Sequence, residues 1–126
     1  MAVSLSAPIL ILDDYNTMIR IIRNLLRQLG FTHIDEASDA RSALTKLRER
    51  DYQLIISDWD LAPVGGAEMV ERLREIERCR QTPVLVVANA PDEEAEAERA
   101  GVGGYLVKPF GAQTLRERLE RLLGGF

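Results

Sequence analysis

Four short stretches of the chain are almost purely apolar: Ile9-Leu10-Ile11-Leu12, Leu54-Ile55-Ile56, Val84-Leu85-Val86-Val87 and Tyr105-Leu106-Val107. Runs this short, without alternation, are the pattern of strands buried on both faces. Between them the apolar residues recur at helical spacing. From Asn16, the residues Met18, Ile22, Leu25 and Leu29 form a stripe widened by Ile19, Ile21 and Leu26, and Gly30 supplies a stop. His33 to Ala37 reads as another short strand, with Ser38 or Asp39 placed to cap a helix that turns Ala43, Leu44 and Leu47 inward. A Pro/Gly turn after Asp58 leads into a helix carrying Met69, Val70, Leu73 and Ile76. Pro83 opens the next strand, Pro91 suits the first turn of a helix, and Gly101 ends that helix. Leu115, Leu119 and Leu122 line the inner face of a last helix.

Five strand-helix units in succession predict an α/β fold. Parallel strands need right-handed crossovers, so the helices must cover both faces of a doubly wound parallel sheet. The length of 126 residues predicts one domain over 1–126 with a core over about 8–123, and fraying before Pro8 and at Gly124-Gly125-Phe126. At 46% hydrophobic and 29% charged residues, the composition is that of an ordinary water-soluble globular protein. No apolar run approaches the ~20 residues of a membrane span, and MAVSLSAP lacks the basic and apolar regions of a signal peptide, so a cytoplasmic location is expected. A net charge of −4 argues against a basic face for nucleic acid. Cys79 and His33 are each the sole residue of their type, which excludes an internal disulfide and any zinc cluster of usual spacing.

The candidate chemistry lies at the strand ends. In open α/β sheets, ligands bind outside the carboxyl ends of the strands. Asp13 and Asp14 follow the first strand, Asp58 the third, Ala88 and Asn89 the fourth, and Lys108 the fifth. Three carboxylates on one rim repel one another, and a hard divalent cation relieves that repulsion; oxygen donors with retained waters suit Mg2+. Solvated loop acids are the plain alternative for any one pair. A carboxylate beside Mg2+ can attack a phosphoryl group and form an acyl phosphate, with Lys108 neutralising another oxygen. A cis Lys108-Pro109 bond is expected.

These residues resemble the CheY-like response-regulator receiver family along nearly the whole chain, from Ile9 to Leu123. The segments that carry the resemblance are ILDDYNTMIRIIRNLLRQLGF, IISDWDLAPVGGAEMVERLRE, TPVLVVANAP and GGYLVKPF. It implies a flavodoxin-like (βα)5 sheet with strand order 2-1-3-4-5. It also implies that Asp58 is the phosphoacceptor, that Asp14 is a direct Mg2+ ligand, and that Asp13 acts mostly through metal-bound water. The backbone carbonyl of Asp60 would complete the protein ligands. Lys108 and the amide of Asn89 would hold the phosphoryl group, Tyr105 would be the switch aromatic, and Gly66 the glycine of the turn after the phosphorylation loop. The implied partners are a sensor histidine kinase or phosphotransfer protein, and a downstream protein that docks on the face of helix 4, strand 5 and helix 5. Such a receiver catalyses only its own phosphorylation and dephosphorylation.

Four features depart from the family pattern. Ala88 stands where Thr or Ser is usual, removing a hydroxyl that would bond the phosphoryl group and move with it; one such bond to a charged group contributes roughly 1.5–3 kcal/mol. The side-chain amide of Asn89 is a possible substitute donor. The usual Met-Pro is replaced by Leu61-Ala62 with Pro63 one residue later, and Asp60 adds a carboxylate beside the site. The fourth helix is acidic through Asp92, Glu93, Glu94, Glu96 and Glu98, with only alanines as apolar residues, which predicts either low local stability suited to switching or simply a solvated acidic face. Arg116, Arg118 and Arg121 on the last helix could pair with it across a phosphorylation-linked homodimer. The alternative function is a degenerate receiver working as a phosphorylation-independent interaction module. A phosphohydrolase of the haloacid dehalogenase type is suggested only by Asp58-Trp59-Asp60, whose position after the third strand is wrong for that class. A flavodoxin would need a Ser/Thr/Gly-rich phosphate loop after the first strand, and none is present.

Overall fold

A computed structural model describes residues 4–61 and 64–126. The strands are β1 (Ile9–Leu12), β2 (Ile34–Ala37), β3 (Leu54–Asp58), β4 (Val84–Ala88) and β5 (Gly104–Val107). All pair in parallel, in the order β2-β1-β3-β4-β5. The helices are α1 (Asn16–Gln28), α2 (Ala40–Glu49), α3 (Gly66–Arg74), α4 (Pro91–Arg99) and α5 (Ala112–Leu123), with a short 3-10 turn at Glu77–Cys79.

Strand alternation divides the core into two halves. Ile9, Ile11, Leu54, Ile56, Leu85 and Val87 face α1 and α5, while Leu10, Leu12, Ile55, Val84 and Val86 face α2, α3 and α4. This is why β1, β3 and β4 read as continuous apolar runs: both of their faces are covered. Each Leu or Ile so buried contributes about 1.5–3 kcal/mol before entropy is counted.

The helix ends follow local chemistry. Asp39 caps α2 by accepting the N–H of Ser42 at 2.6 Å. Pro91 occupies the first turn of α4, and Gly30 and Gly101 take positive φ just past α1 and α4. The Lys108-Pro109 bond is cis.

Several expectations shift. Ile76 lies beyond α3, where Leu73 and Glu75 close the helix before the 3-10 turn, yet it still packs on the core. In α5 Leu123 is buried and Leu122 only partly so. In α1 the fully covered residues are Ile19, Ile22 and Leu26, while Ile21 is exposed. Phe126 is docked rather than frayed, its ring 5.0 Å from that of Phe31. Arg116 does not share a face with its neighbours: it pairs with Glu120 and lies over Phe126, whereas Arg118 and Arg121 line a cleft with Glu94 and Tyr105. Only Ala97 of α4 is buried, as its composition predicts. The expected change of turn at Ala62-Pro63 falls outside the described residues.

Cys79 is a buried free thiol and His33 is exposed. Among the described residues no helix is long and apolar enough to cross a membrane.

Candidate functional site

The parallel register brings the ends of β1 and β3 side by side, with Leu12 opposite Ser57, and sets Asp58 opposite Val87 of β4. Asp13, Asp14 and Asp58 therefore converge, each offering a carboxylate oxygen within 4.8 Å of the others. Asp13 is fully buried and Asp58 nearly so, while Asp14 and Asp60 are exposed. Oδ1 of Asp13 accepts the N–H of Tyr15 at 2.9 Å; its Oδ2 is buried without a hydrogen-bond partner.

Burial pushes the Asp13 carboxyl up to about 6; the Tyr15 N–H opposes the rise and the Asp58 charge adds to it. Burial also raises the Asp58 carboxyl, against the pull of Lys108. The Lys108 ammonium stands 3.6 Å from Oδ1 of Asp58, and the N–H of Asp60 points to the same oxygen at 3.5 Å. An unpartnered buried oxygen and two acids held above their usual range form a donor set short of positive charge. That set fits a hard divalent cation.

The other predicted residues sit around this centre. Ala88 is fully buried, and its carbonyl accepts the N–H of Lys108 at 2.9 Å, tying β4 to β5. Both amide groups of Asn89 are directed at Glu93: the backbone N–H donates to Oε1 at 2.8 Å and the side-chain amide lies 3.5 Å from the same atom. Tyr105 is half-buried against the core, and its carbonyl accepts from Arg118 at 3.2 Å. Gly66 opens α3, where an added Cβ would lie 2.4 Å from the Trp59 ring and 2.6 Å from the Trp59 carbonyl. Only glycine fits this approach.

Two residues of the site were missed by sequence reasoning, Glu93 and Glu96. Glu93 sits in the first turn of α4, four residues after Asn89, a spacing at which a carboxylate can reach back to an orphan N–H. Glu96 accepts the indole N–H of Trp59 at 3.0 Å. No sequence signal pointed to that second contact, because it joins residues far apart in the chain.

The five-stranded order and an acidic rim facing a lysine are those of a receiver module. The family model for the response regulator receiver domain matches residues 9–120. The chain belongs to this family. It is 46% identical over 116 residues to the chemotaxis protein CheY of Pseudomonas aeruginosa, covering 90% of this chain and 94% of that one. It is 43% identical over 116 residues to chemotaxis protein CheY-3 of Vibrio cholerae, covering 90% and 89%. Among solved structures, Vibrio cholerae CheY4 superposes with a TM-score of 0.84 at 31% identity, over 94% of this chain and 99% of that one. A receiver domain of a Pseudomonas aeruginosa sensor histidine kinase, solved with a magnesium ion coordinated in its active-site cleft, shares the fold at TM-score 0.84 and 24% identity, over 95% and 99% of the chains. Membership of the receiver family sets aside the phosphohydrolase and flavodoxin alternatives.

Proposed function

We propose that this chain is a phosphorylation switch in which Asp58 accepts a phosphoryl group from a phosphohistidine of a sensor histidine kinase or phosphotransfer protein. The observation that carries the reading is the pairing of buried Asp58 with Lys108 at 3.6 Å beside Asp13 and Asp14. A carboxylate oxygen of Asp58 attacks phosphorus, the P–N bond breaks, and the imidazole nitrogen leaves with its electron pair. The product is an acyl phosphate. Lys108 offsets charge on the transferred oxygens from one side. Asp13, Asp14, Asp58 and the carbonyl of Asp60 would hold Mg2+, which when bound neutralises charge on those oxygens and brings the acids together without repulsion.

Signal leaves through the face of α4, β5 and α5, where Glu94, Tyr105, Arg118 and Arg121 line a cleft of about 360 Å³. The occupant is a downstream protein of the cytoplasm or, through complementary Glu94 and Arg118/Arg121 charges, a second copy. A chemotaxis role is supported by the CheY relatives. Ala88 favours a second reading, a constitutive interaction module, because it brings no hydroxyl to the phosphoryl group. Intact mass after incubation with Mg2+ and acetyl phosphate separates the two. A single phosphoryl adduct that disappears in Asp58→Asn supports the switch; an unmodified chain supports the module.

A further inference from the structure

Ala88, at the end of β4, brings no hydroxyl to couple the acceptor to α4. Its carbonyl is tied to the N–H of Lys108, so Ala88 is held in the sheet. Asp58 lies opposite Val87, and the N–H of Trp59 donates to the Val87 carbonyl at 3.0 Å, so the chain leaving β4 at Asn89 runs alongside the acceptor. Asn89 is the first residue past the sheet, and its backbone N–H is already bonded to an anion, Oε1 of Glu93 at 2.8 Å.

The same carboxylate holds α4 in place at its N-terminus, where Ala90 offers no side-chain cap. Further acids gather there: Asp60, Asp92, Glu93 and Glu96 line a cleft of about 310 Å³ with Trp59. A phosphoryl dianion arriving on Asp58 meets this negative wall with one nearby donor occupied by Glu93.

We propose that Glu93 is an intramolecular competitor for the phosphoryl group: it holds the Asn89 N–H in the resting state and yields it to a phosphoryl oxygen, releasing the first turn of α4. The inference rests on the reading of Asp58 as phosphoacceptor. In this scheme Glu93 is a positioning residue, and the exchange of one anion for another replaces the missing hydroxyl. Like-charge repulsion across the acidic cleft drives α4 in the same direction.

The test uses the full chain, Glu93→Gln and Glu98→Gln, each treated with phosphoramidate and Mg2+. Phosphorylation is quantified by intact mass, and the Asn89 amide and α4 exchange are followed by NMR. Asp58 attacks phosphorus and ammonia leaves as the P–N bond breaks. Glu98 is an exposed residue of α4 that does not line this cleft, and its replacement removes the same formal charge. Glu93→Gln should phosphorylate about fivefold faster, the factor that matches the upper end of an exposed charge contact, while Glu98→Gln stays near the parent. In the parent, phosphorylation should shift the Asn89 amide resonance and speed hydrogen exchange in the first turn of α4. A merely structural cap would leave the phosphorylation rate unmoved while lowering thermal stability. Equal rates in all three chains, or an Asn89 resonance unchanged by phosphorylation of Asp58, overturn the inference and leave the receiver reading intact. No adduct in any chain overturns both.

Discussion

Replacing Asp13 by Asn should stabilise the Mg2+-free protein at neutral pH. The Asp13 carboxyl is fully buried with one oxygen unpartnered, and burial raises it to about 6 from 3.8. The folded state thus binds this proton more tightly than the unfolded chain does. Its favourable contribution is fully present below about 3.8 and is lost as pH rises through about 6. Holding the charge at pH 7.5 therefore costs on the order of 3 kcal/mol, from a difference of 6 − 3.8 at 1.36 kcal/mol per pH unit. An Asn amide removes the charge but leaves N–H groups to satisfy, at about 1 kcal/mol, so the net gain is about 2 kcal/mol. Urea unfolding followed by Trp59 emission, without Mg2+, measures it at pH 7.5 and pH 4. The gain should vanish at pH 4. With Mg2+ the order should reverse, because a ligand at a hundred times its Kd stabilises the parent by about 2.7 kcal/mol and the variant has lost one of the acid charges that hold the cation and its water. A variant less stable than the parent at pH 7.5 without Mg2+, or equally stabilised at both pH values, refutes the reasoning.

Three further outcomes follow from the site. Gly66→Ala should cost about 1–3 kcal/mol in chemical denaturation and shift Trp59 emission, because the new Cβ meets the Trp59 ring and carbonyl; unchanged stability would mean that α3 moves freely. Glu96→Gln should weaken the bond from the Trp59 indole at a cost of about 0.5–1 kcal/mol and alter Trp59 emission, and an identical spectrum counts against that contact. Ala88→Thr should tighten binding of beryllofluoride in the presence of Mg2+ about tenfold, the return from one charge-assisted hydrogen bond; unchanged affinity would show that a hydroxyl there does not reach the site.

The fold was legible because the apolar runs of β1, β3 and β4 are short and unbroken, and their order with the intervening helices leaves few topologies. The acidic cluster was legible for the same reason: Asp13, Asp14 and Asp58 terminate strands, and parallel strands end on one rim. What the sequence hid depends on side-chain reach. Glu93 and Glu96 read as parts of a solvated acidic face, yet one turns back to Asn89 and the other crosses to Trp59. Phe126 read as part of a frayed end because nothing local marks its contact with Phe31, a residue of the loop after α1. Charge alone groups Arg116 with Arg118, but a helix turns about 200° over two residues and separates them.

The central claim, that Asp58 is the phosphoacceptor, is tested most directly by trapping the acyl phosphate. After phosphorylation with Mg2+ and a small phosphodonor, borohydride reduces an aspartyl phosphate to homoserine, and peptide mapping locates it. Homoserine at position 58 alone is the predicted result. Homoserine at position 13, 14 or 60, or at none, would contradict the account.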